Sequence, residues 1–315
     1  MDRRAFLLAS VSATAALVLG GPALSAENRQ RFGIQLFSLP KLLEGDVRKA
    51  IAMLAGMGYR EVEPYGPYTY SAPEAIARWK AVTPSLGFSG SGYFGLSGKE
   101  FKALLASHGM TSPSMHTDFA TLDRNMKQLG EAGRELGFTY VGLPSIPEER
   151  RKTLDDYKRM ADTFNRIGKE AKSAGVRFAY HNHGYGLQPM EGVIPVEYLL
   201  ANTDPELVFF EMDLYWTTAG GANPIELLRR NPGRYRLMHV KDMQGRRRFS
   251  GDGGDSKQWI ELFPYMVSAG EGSLDLKAIL EQGRKSGVEH FFVEQDNVAN
   301  PESALKKSID HLTRL

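Results

Sequence analysis

The sequence predicts a (β/α)8 barrel, an α/β TIM barrel of a single domain, on three observations. From residue 31 onward, short apolar runs alternate with longer stretches of helical period. Eight such runs are present, and roughly 285 residues is the length that eight β/α units require. No glycine-rich phosphate fingerprint follows the first run, where QLFSLPKLLEG stands, so the competing doubly wound open sheet lacks its signature.

The strand candidates are RFGIQLFS (31–38), REVEP (60–64), SPSMHT (112–117), TYVGLP (139–144), RFAYHNH (177–183), LVFFEMD (207–213), YRLMHVKD (235–242) and HFFVEQD (290–296). Most directly follow a helix-ending phrase such as GMGYR, SHGMT, SAGVRF, NPGRY or KSGVEH. Amphipathic helices are predicted between them at 46–58, 98–109, 154–175 and 274–287, where apolar residues recur at intervals of three and four. Two connections are unusually long, 65–97 and 243–273. Both follow strand ends, so in a barrel they would cover the face where sites form, and their Tyr, Phe, Trp and Arg content suits a hydroxylated ring.

Composition narrows the classes of function. With 315 residues, 42% hydrophobic and 24% charged, the chain can bury a large core. A formal charge of +2 without a basic block gives no nucleic-acid footprint and no polybasic membrane surface. Cysteine is absent, which excludes disulfides, thiolate metal sites and a thiol nucleophile. Any metal must therefore be held by His, Asp or Glu.

Residues 1–26 read as a secretory signal of twin-arginine type: Arg3 and Arg4, then an uncharged Ala/Leu/Val/Ser run ending in small residues. Gly20, Gly21 and Pro22 argue against a permanent membrane anchor. The expected mature chain, 27–315, carries a charge of about +1 and is periplasmic or secreted, without stable membrane insertion. A homo-oligomer is compatible with the sequence.

Polar residues gather where the apolar runs end: Glu63, His116, His181 with His183, Glu211 with Asp213, His239 with Lys241, and Glu294 with Asp296. Closing a barrel would bring these ends into one small volume, where uncompensated carboxylates repel one another and lose hydration. A divalent cation resolves that conflict. Because side chains two apart share a strand face, each of the last four strands can offer one ligand, giving His181, Asp213, His239 and Glu294. Two imidazoles and two carboxylates suit Mn foremost, then Zn, Fe, Co or Mg, better than Ca.

Through FGIQLFS, GYREVE, GYFGLSGKEFKALL, FAYHNH, NTDPELVFFEMDLYW, GRYRLMHVKDM, GEGSLDLKAIL and FFVEQD, in that order, the chain resembles the sugar phosphate isomerase/epimerase family with its xylose isomerase-like barrel. The resemblance implies metal ligands at the ends of strands five, six and eight and a His in strand seven, which fall on the same four residues. It also exposes a departure. The strand-five ligand of the well-understood epimerases is a Glu that pairs with the strand-eight Glu to move a proton between the faces of the sugar. Here His181 stands in its place, as in a branch carrying YHNH. The site is one charge less negative, so its metal should be the stronger Lewis acid, and one of two symmetric bases is gone.

The expected activity is a metal-dependent isomerisation or epimerisation of a small carbohydrate through an enediolate. The alternatives are a lyase that expels the aglycone of a 3-keto-glycoside by β-elimination, and a non-catalytic periplasmic sugar-binding protein. Glu294 is expected as ligand and base, His183 or His116 as a second acid/base, and Lys241 as electrostatic partner of a substrate oxygen. Tyr215, Trp216 and Glu63 are expected to contact the substrate.

Overall fold

Parallel strands form at all eight predicted runs, and most are shorter than the run that marks them. In the computed structural model, which describes residues 31–315, they are β1 Gly33–Gln35, β2 Glu61–Glu63, β3 Ser114–His116, β4 Tyr140–Leu143, β5 Arg177–His181, β6 Val208–Asp213, β7 Tyr235–Val240 and β8 His290–Val293. The expected export signal lies outside the described residues. Neighbours around the sheet run β2-β1-β8-β7-β6-β5-β4-β3. Between β2 and β3 the seam is held by the isolated bridges Glu61 to Thr111 and Tyr65 to His116. The main-chain bonds Val62 N to Thr111 O and His116 N to Pro64 O, both 2.8 Å, draw that seam together. The result is a nearly closed barrel.

The helices are α1 Pro40–Met57, α2 Pro73–Leu86, α3 Gly98–Ser107, α4 Phe119–Arg124, α5 Met126–Leu136, α6 Leu154–Ala174, α7 Pro195–Asn202, α8 Leu214–Ala219, α9 Pro224–Arg230, α10 Ser256–Leu262, α11 Leu276–Ser286 and α12 Pro301–Leu312. The sequence placed the start of the first helix at residue 46. The chain is already helical from Pro40, breaks at Asp46 (φ −158°, ψ 96°) and restarts there, with Asp46 Oδ1 accepting from Lys49 N at 3.0 Å. Each long connection contains a helix, α2 in 65–97 and α10 in 243–273. Among the described residues no helix is long and apolar enough to cross a membrane.

Helix α6 illustrates how pattern becomes packing. Thr153 and Asp156 form a reciprocal capping box at its start, and Gly175 (φ 88°) closes it in the left-handed conformation that glycine tolerates. Its buried residues Tyr157, Met160, Ala161, Phe164, Ile167 and Ala171 follow the helical repeat. Phe164 meets Phe178 of β5 edge-on at 5.0 Å. Burying such a ring contributes about 1.5–3 kcal/mol.

Strand alternation builds the barrel interior in storeys. Tyr140, Ala179, Phe209, Leu237 and Phe292 form an apolar cluster inside it. Two residues further along, on the same face, stand His181, Glu211, His239 and Glu294. Register agrees with this: His181 lies opposite Glu211, Asp213 opposite His239, and His239 opposite Phe292. Lys241, Glu294 and Asp296, expected within strands, follow the last ladder residues of β7 and β8 instead. The ladder stops because Asp242–Met243 leaves the barrel to pair antiparallel with Met266–Val267.

At the start of β8, His290 Nδ1 lies 2.9 Å from Glu61 Oε2. Burial alone would lower the pKa of His290, but the bond to Glu61 raises it above its ordinary value. A raised pKa means that the folded chain holds the proton more tightly. This stabilisation is complete below the unfolded histidine value, near 6.5, and is lost as pH rises through the folded value. Glu61→Gln should therefore flatten the fall in urea midpoint between about pH 6 and pH 9; an unchanged slope would refute the assignment.

Candidate metal centre and active site

The middle storey of the barrel is a closed hydrogen-bonded network. Gln35 anchors it: its Oε1 accepts Phe37 N at 3.2 Å, which fixes the amide so that Nε2 donates to Glu63 Oε2 at 2.8 Å. His239 reaches Glu63 Oε2 through Nε2 at 2.7 Å and Glu294 Oε2 through Nδ1 at 2.8 Å. Both ring nitrogens thus face carboxylates. Burial opposes the charge, but Glu211 and Glu294 hold the His239 pKa well above its ordinary value. His116 Nε2 is 2.6 Å from Glu211 Oε2, and His181 Nδ1 is 3.2 Å from the same oxygen. Gly142 of β4 leaves room for the His116 ring; a Cβ there would lie 2.6 Å from His116 Cδ2.

Above this storey three carboxyl groups share one ammonium. Lys241 Nζ lies 2.6 Å from Glu294 Oε2, 2.9 Å from Asp296 Oδ2 and 3.0 Å from Asp213 Oδ2. Burial disfavours the charges of Glu294 and Lys241 alike, yet Lys241 and His239 hold Glu294 well below the usual carboxylate range, and Asp213, Asp296 and Glu294 together hold Lys241 well above the usual amine range. Asp296 has no such surplus: burial pushes its pKa up to about 6, Lys241 notwithstanding.

Asp213 is oriented by the helix that it starts. Strand β6 runs directly into α8, and Asp213 Oδ1 caps that helix by accepting Trp216 N at 2.8 Å. The other oxygen, Oδ2, is fully buried and accepts no hydrogen bond. Its neighbours are Lys241 Nζ and, at 3.7 Å, His181 Nε2. A buried carboxylate oxygen whose one close cation, Lys241, is shared with two further carboxyl groups fits a divalent cation. Asp213, His239 and Glu294 can each turn one ligand atom to a common ion; His181 groups with His116, Glu211 and His239, sharing His239 with the first set. Cationic hydrogens already gather at this point, since His239 Nδ1 and Lys241 Nζ both address Glu294 Oε2. The donor set therefore fits a nitrogen- and oxygen-binding metal, with Asp213 and Glu294 in direct reach, His239 joining them on giving up one ring proton, and His181 adjacent.

A cavity of about 820 Å³ opens above these groups, with His116, His181, His183, His239, Lys241, Glu294 and Asp296 toward its floor. His183 has a defined tautomer. Its Nδ1 is 2.6 Å from the carbonyl of Pro144, an atom that can only accept, so Nδ1 carries the proton and Nε2 is left with a lone pair. Burial, reinforced by Lys241, lowers its pKa to about 3, and the ring is neutral. It stacks on Trp259 at 4.8 Å and 21° and is followed by Trp216 at 6.2 Å.

Several expected roles change on this geometry. Glu63 is wholly buried and bonded beneath His239, so it braces the floor and does not line the cavity. Tyr215 is turned away from the cavity, its hydroxyl donating to Leu262 O at 2.5 Å. Trp216 lines the cavity wall. His116 edges the cavity, but Nε2 is committed to Glu211 and Nδ1 lies 3.5 Å from Gln35 Nε2, which suits a brace. Gln35 and Trp259 were not singled out from sequence. Trp259 comes from the long 243–273 segment, tied at its base by Asp242, whose carboxylate accepts the amides of Met243, Gly270, Gly272 and Leu274.

Three comparisons place this architecture among known proteins. The family described as xylose isomerase-like TIM barrel matches residues 51–315. Inosose dehydratase 2 of Bacillus cereus is 31% identical over 114 residues, 35% of this chain and 37% of that relative's length. A sugar phosphate isomerase/epimerase from Parabacteroides distasonis superposes with a TM-score of 0.72 at 24% identity, over 92% of this chain and 95% of that one. An IolI protein solved with a zinc atom superposes at 0.64 and 14% identity, over 90% and 96%. At these identities the two structures establish shared fold.

Two substitutions separate the storeys. Asp213→Asn should reduce bound divalent metal from about one ion per chain to a small fraction in elemental analysis; full retention would move the site elsewhere. Glu211→Gln should leave metal content intact yet cost about 3–5 kcal/mol in denaturant unfolding, because it strips the counter-charge from buried His116 and His239.

Proposed function

The chain belongs to the xylose isomerase-like TIM barrel family of sugar-modifying enzymes, and we propose that it is a metal-dependent lyase acting on a small cyclic carbohydrate that carries a carbonyl, such as a 3-keto-glycoside. A base removes the proton on the carbon beside the carbonyl, and the C–H electrons form a carbon–carbon double bond. The C–O bond one carbon further breaks, and the departing oxygen takes up a proton and leaves as an alcohol. The curated dehydratase relative, whose name denotes an elimination, supports this reading.

The observation that carries it is the pairing of two unlike proton-handling groups on one cavity, neutral His183 with a free Nε2 and the anionic Glu294. Either can accept a proton at neutral pH. Both are weak bases, so the carbon acid must itself be acidified. A divalent ion held by Asp213, His239 and Glu294, with His181 beside them, would supply that by drawing negative charge onto the substrate oxygens. Lys241 carries fixed positive charge at the same place, and Asp296 is the carboxyl best able to hold a proton near neutrality. Trp259 and Trp216, stacked with His183, present flat apolar faces to a sugar ring.

Isomerisation or epimerisation is the second reading. It is favoured by Glu294 and His183 following strands three places apart around the barrel, so that one group can remove a proton and the other return it from a different side. We also propose that the enzyme works outside the cytoplasm, as the Arg3–Arg4 signal pattern implies.

Incubating metal-loaded protein with a 3-keto-glycoside in deuterated water distinguishes the readings. Release of the aglycone supports the lyase; deuterium in a recovered, rearranged sugar supports the isomerase; neither, with binding retained, overturns both. His183→Asn and Glu294→Gln should each lower kcat by about 10²–10⁴-fold.

A further inference from the structure

Helix α2 contributes no buried residue to the core of the barrel. Its apolar residues are nevertheless in order: Ala75, Trp79, Val82 and Leu86 recur at intervals of four, three and four, one stripe of a helix. All four line the cavity. Val82 and Leu86 remain 40% and 36% exposed, in a chain whose described residues otherwise show few large hydrophobics to solvent. The helix is held in place by its polar face and its flanks. Glu74 pairs with Arg124 of α4, and Trp79 Nε1 donates to Ser89 O at 2.8 Å beyond the helix end. Trp79 packs against the edge of the core, but Val82 and Leu86 do not join it, and an exposed apolar pair facing a cavity is accounted for if part of the ligand covers it.

The surroundings say what kind of ligand part this is. Trp79 lies 6.0 Å from Phe88, and Phe88 meets Phe37 edge-on at 5.6 Å, so flat rings continue the stripe. The groups that could hold a metal are gathered at the barrel floor, whereas the stripe itself offers apolar side chains; Glu74, Arg78, Asp123 and Arg124 also line the cavity. At about 820 Å³ the cavity sits in the upper part of the range that encloses a drug-sized ligand, about 300–1,000 Å³, and exceeds the needs of one sugar ring.

We infer that α2 forms an outer subsite for a flat, apolar, non-sugar substituent, so that the substrate is an aryl glycoside whose sugar lies at the floor and whose aglycone lies against Trp79, Val82 and Leu86. The inference rests on the reading of the floor as a carbohydrate site, and it adds the chemical class of the group that leaves.

Isothermal titration of the metal-loaded protein tests it with four probes: 4-nitrophenyl β-D-glucoside, methyl β-D-glucoside, cellobiose and free 4-nitrophenol. The aryl glucoside should bind at least tenfold more tightly than the methyl glucoside and than cellobiose. The double variant Val82→Asp/Leu86→Asp should lose at least tenfold in affinity for the aryl glucoside, with methyl glucoside affinity, circular dichroism and metal content unchanged. Because both side chains are solvent-exposed, folding is retained. Free 4-nitrophenol separates the two claims: if it binds the native protein and not the variant while a 3-keto-glycoside is neither bound nor turned over, the subsite stands and the proposed lyase falls. Equal affinity for aryl and methyl glucosides, a preference for cellobiose, no binding of any aryl compound, or an unaffected variant overturns the subsite.

Discussion

The ring of His239, hydrogen-bonded between Glu63 and Glu294, is the interaction on which the rest of the interior depends. A carboxylate inside a barrel loses its hydration, and it remains ionised only if a neighbouring strand delivers a positive charge at the same height. Heights are set by the two-residue repeat and by register, so compensation cannot be improvised locally. His239 can serve Glu63 and Glu294 because β7 stands beside β8, and because the apolar storey below, from Tyr140 to Phe292, fixes how far each strand has climbed. His116 and Glu211 complete the same storey, and Lys241 repeats the solution one step higher, among Asp213, Glu294 and Asp296.

What could be read from sequence follows the reach of that repeat. Eight apolar runs ending in polar residues announce a barrel, and counting in twos from those endings brings His181, Asp213, His239 and Glu294 to adjoining positions. The rule fails where the strand stops. Tyr215 is the second residue of α8, where successive side chains turn by about 100° in place of 180°, and it points into the loop cluster with Leu262. Glu63 and Glu211 lie on the expected face, yet sequence carries no measure of depth along the barrel, so a brace beneath the floor and a group upon it look alike. Trp259 is beyond any local rule, since it reaches His183 only because a ribbon at 242–243 and 266–267 returns its segment to the barrel mouth.

Replacing a carboxylate by His181 has a consequence that the structure makes concrete. Burial, with the charge of His239 adding to it, keeps this ring well below its ordinary pKa and hence neutral. The negative charge around the candidate metal position is left to Asp213 and Glu294, and Lys241 already offsets part of it. Two equivalent carboxylate bases on opposite faces, the arrangement suited to reversible inversion at one carbon, are absent. His183, one residue beyond the strand and fixed by Pro144, differs from Glu294 in charge, donor capacity and origin. Unequal partners are what the proposed elimination would use, one group taking a proton and another assisting departure.

The carboxylate of Asp242 gathers four backbone amides and so closes the base of a segment of some thirty residues, leaving everything between Gln244 and Ser273 outside the eight-strand ladder of the barrel. The groups that could hold an ion belong to strand ends, whereas much of the aromatic wall of the cavity, Trp259, Phe263 and Trp79, belongs to this tethered excursion and to α2. Inheritance can therefore act on the two separately. A lineage could exchange the excursion, and with it the shape of the compounds accepted, while transmitting the reactive floor unaltered, which makes this anchor a boundary between what descent must preserve and what it is free to rewrite.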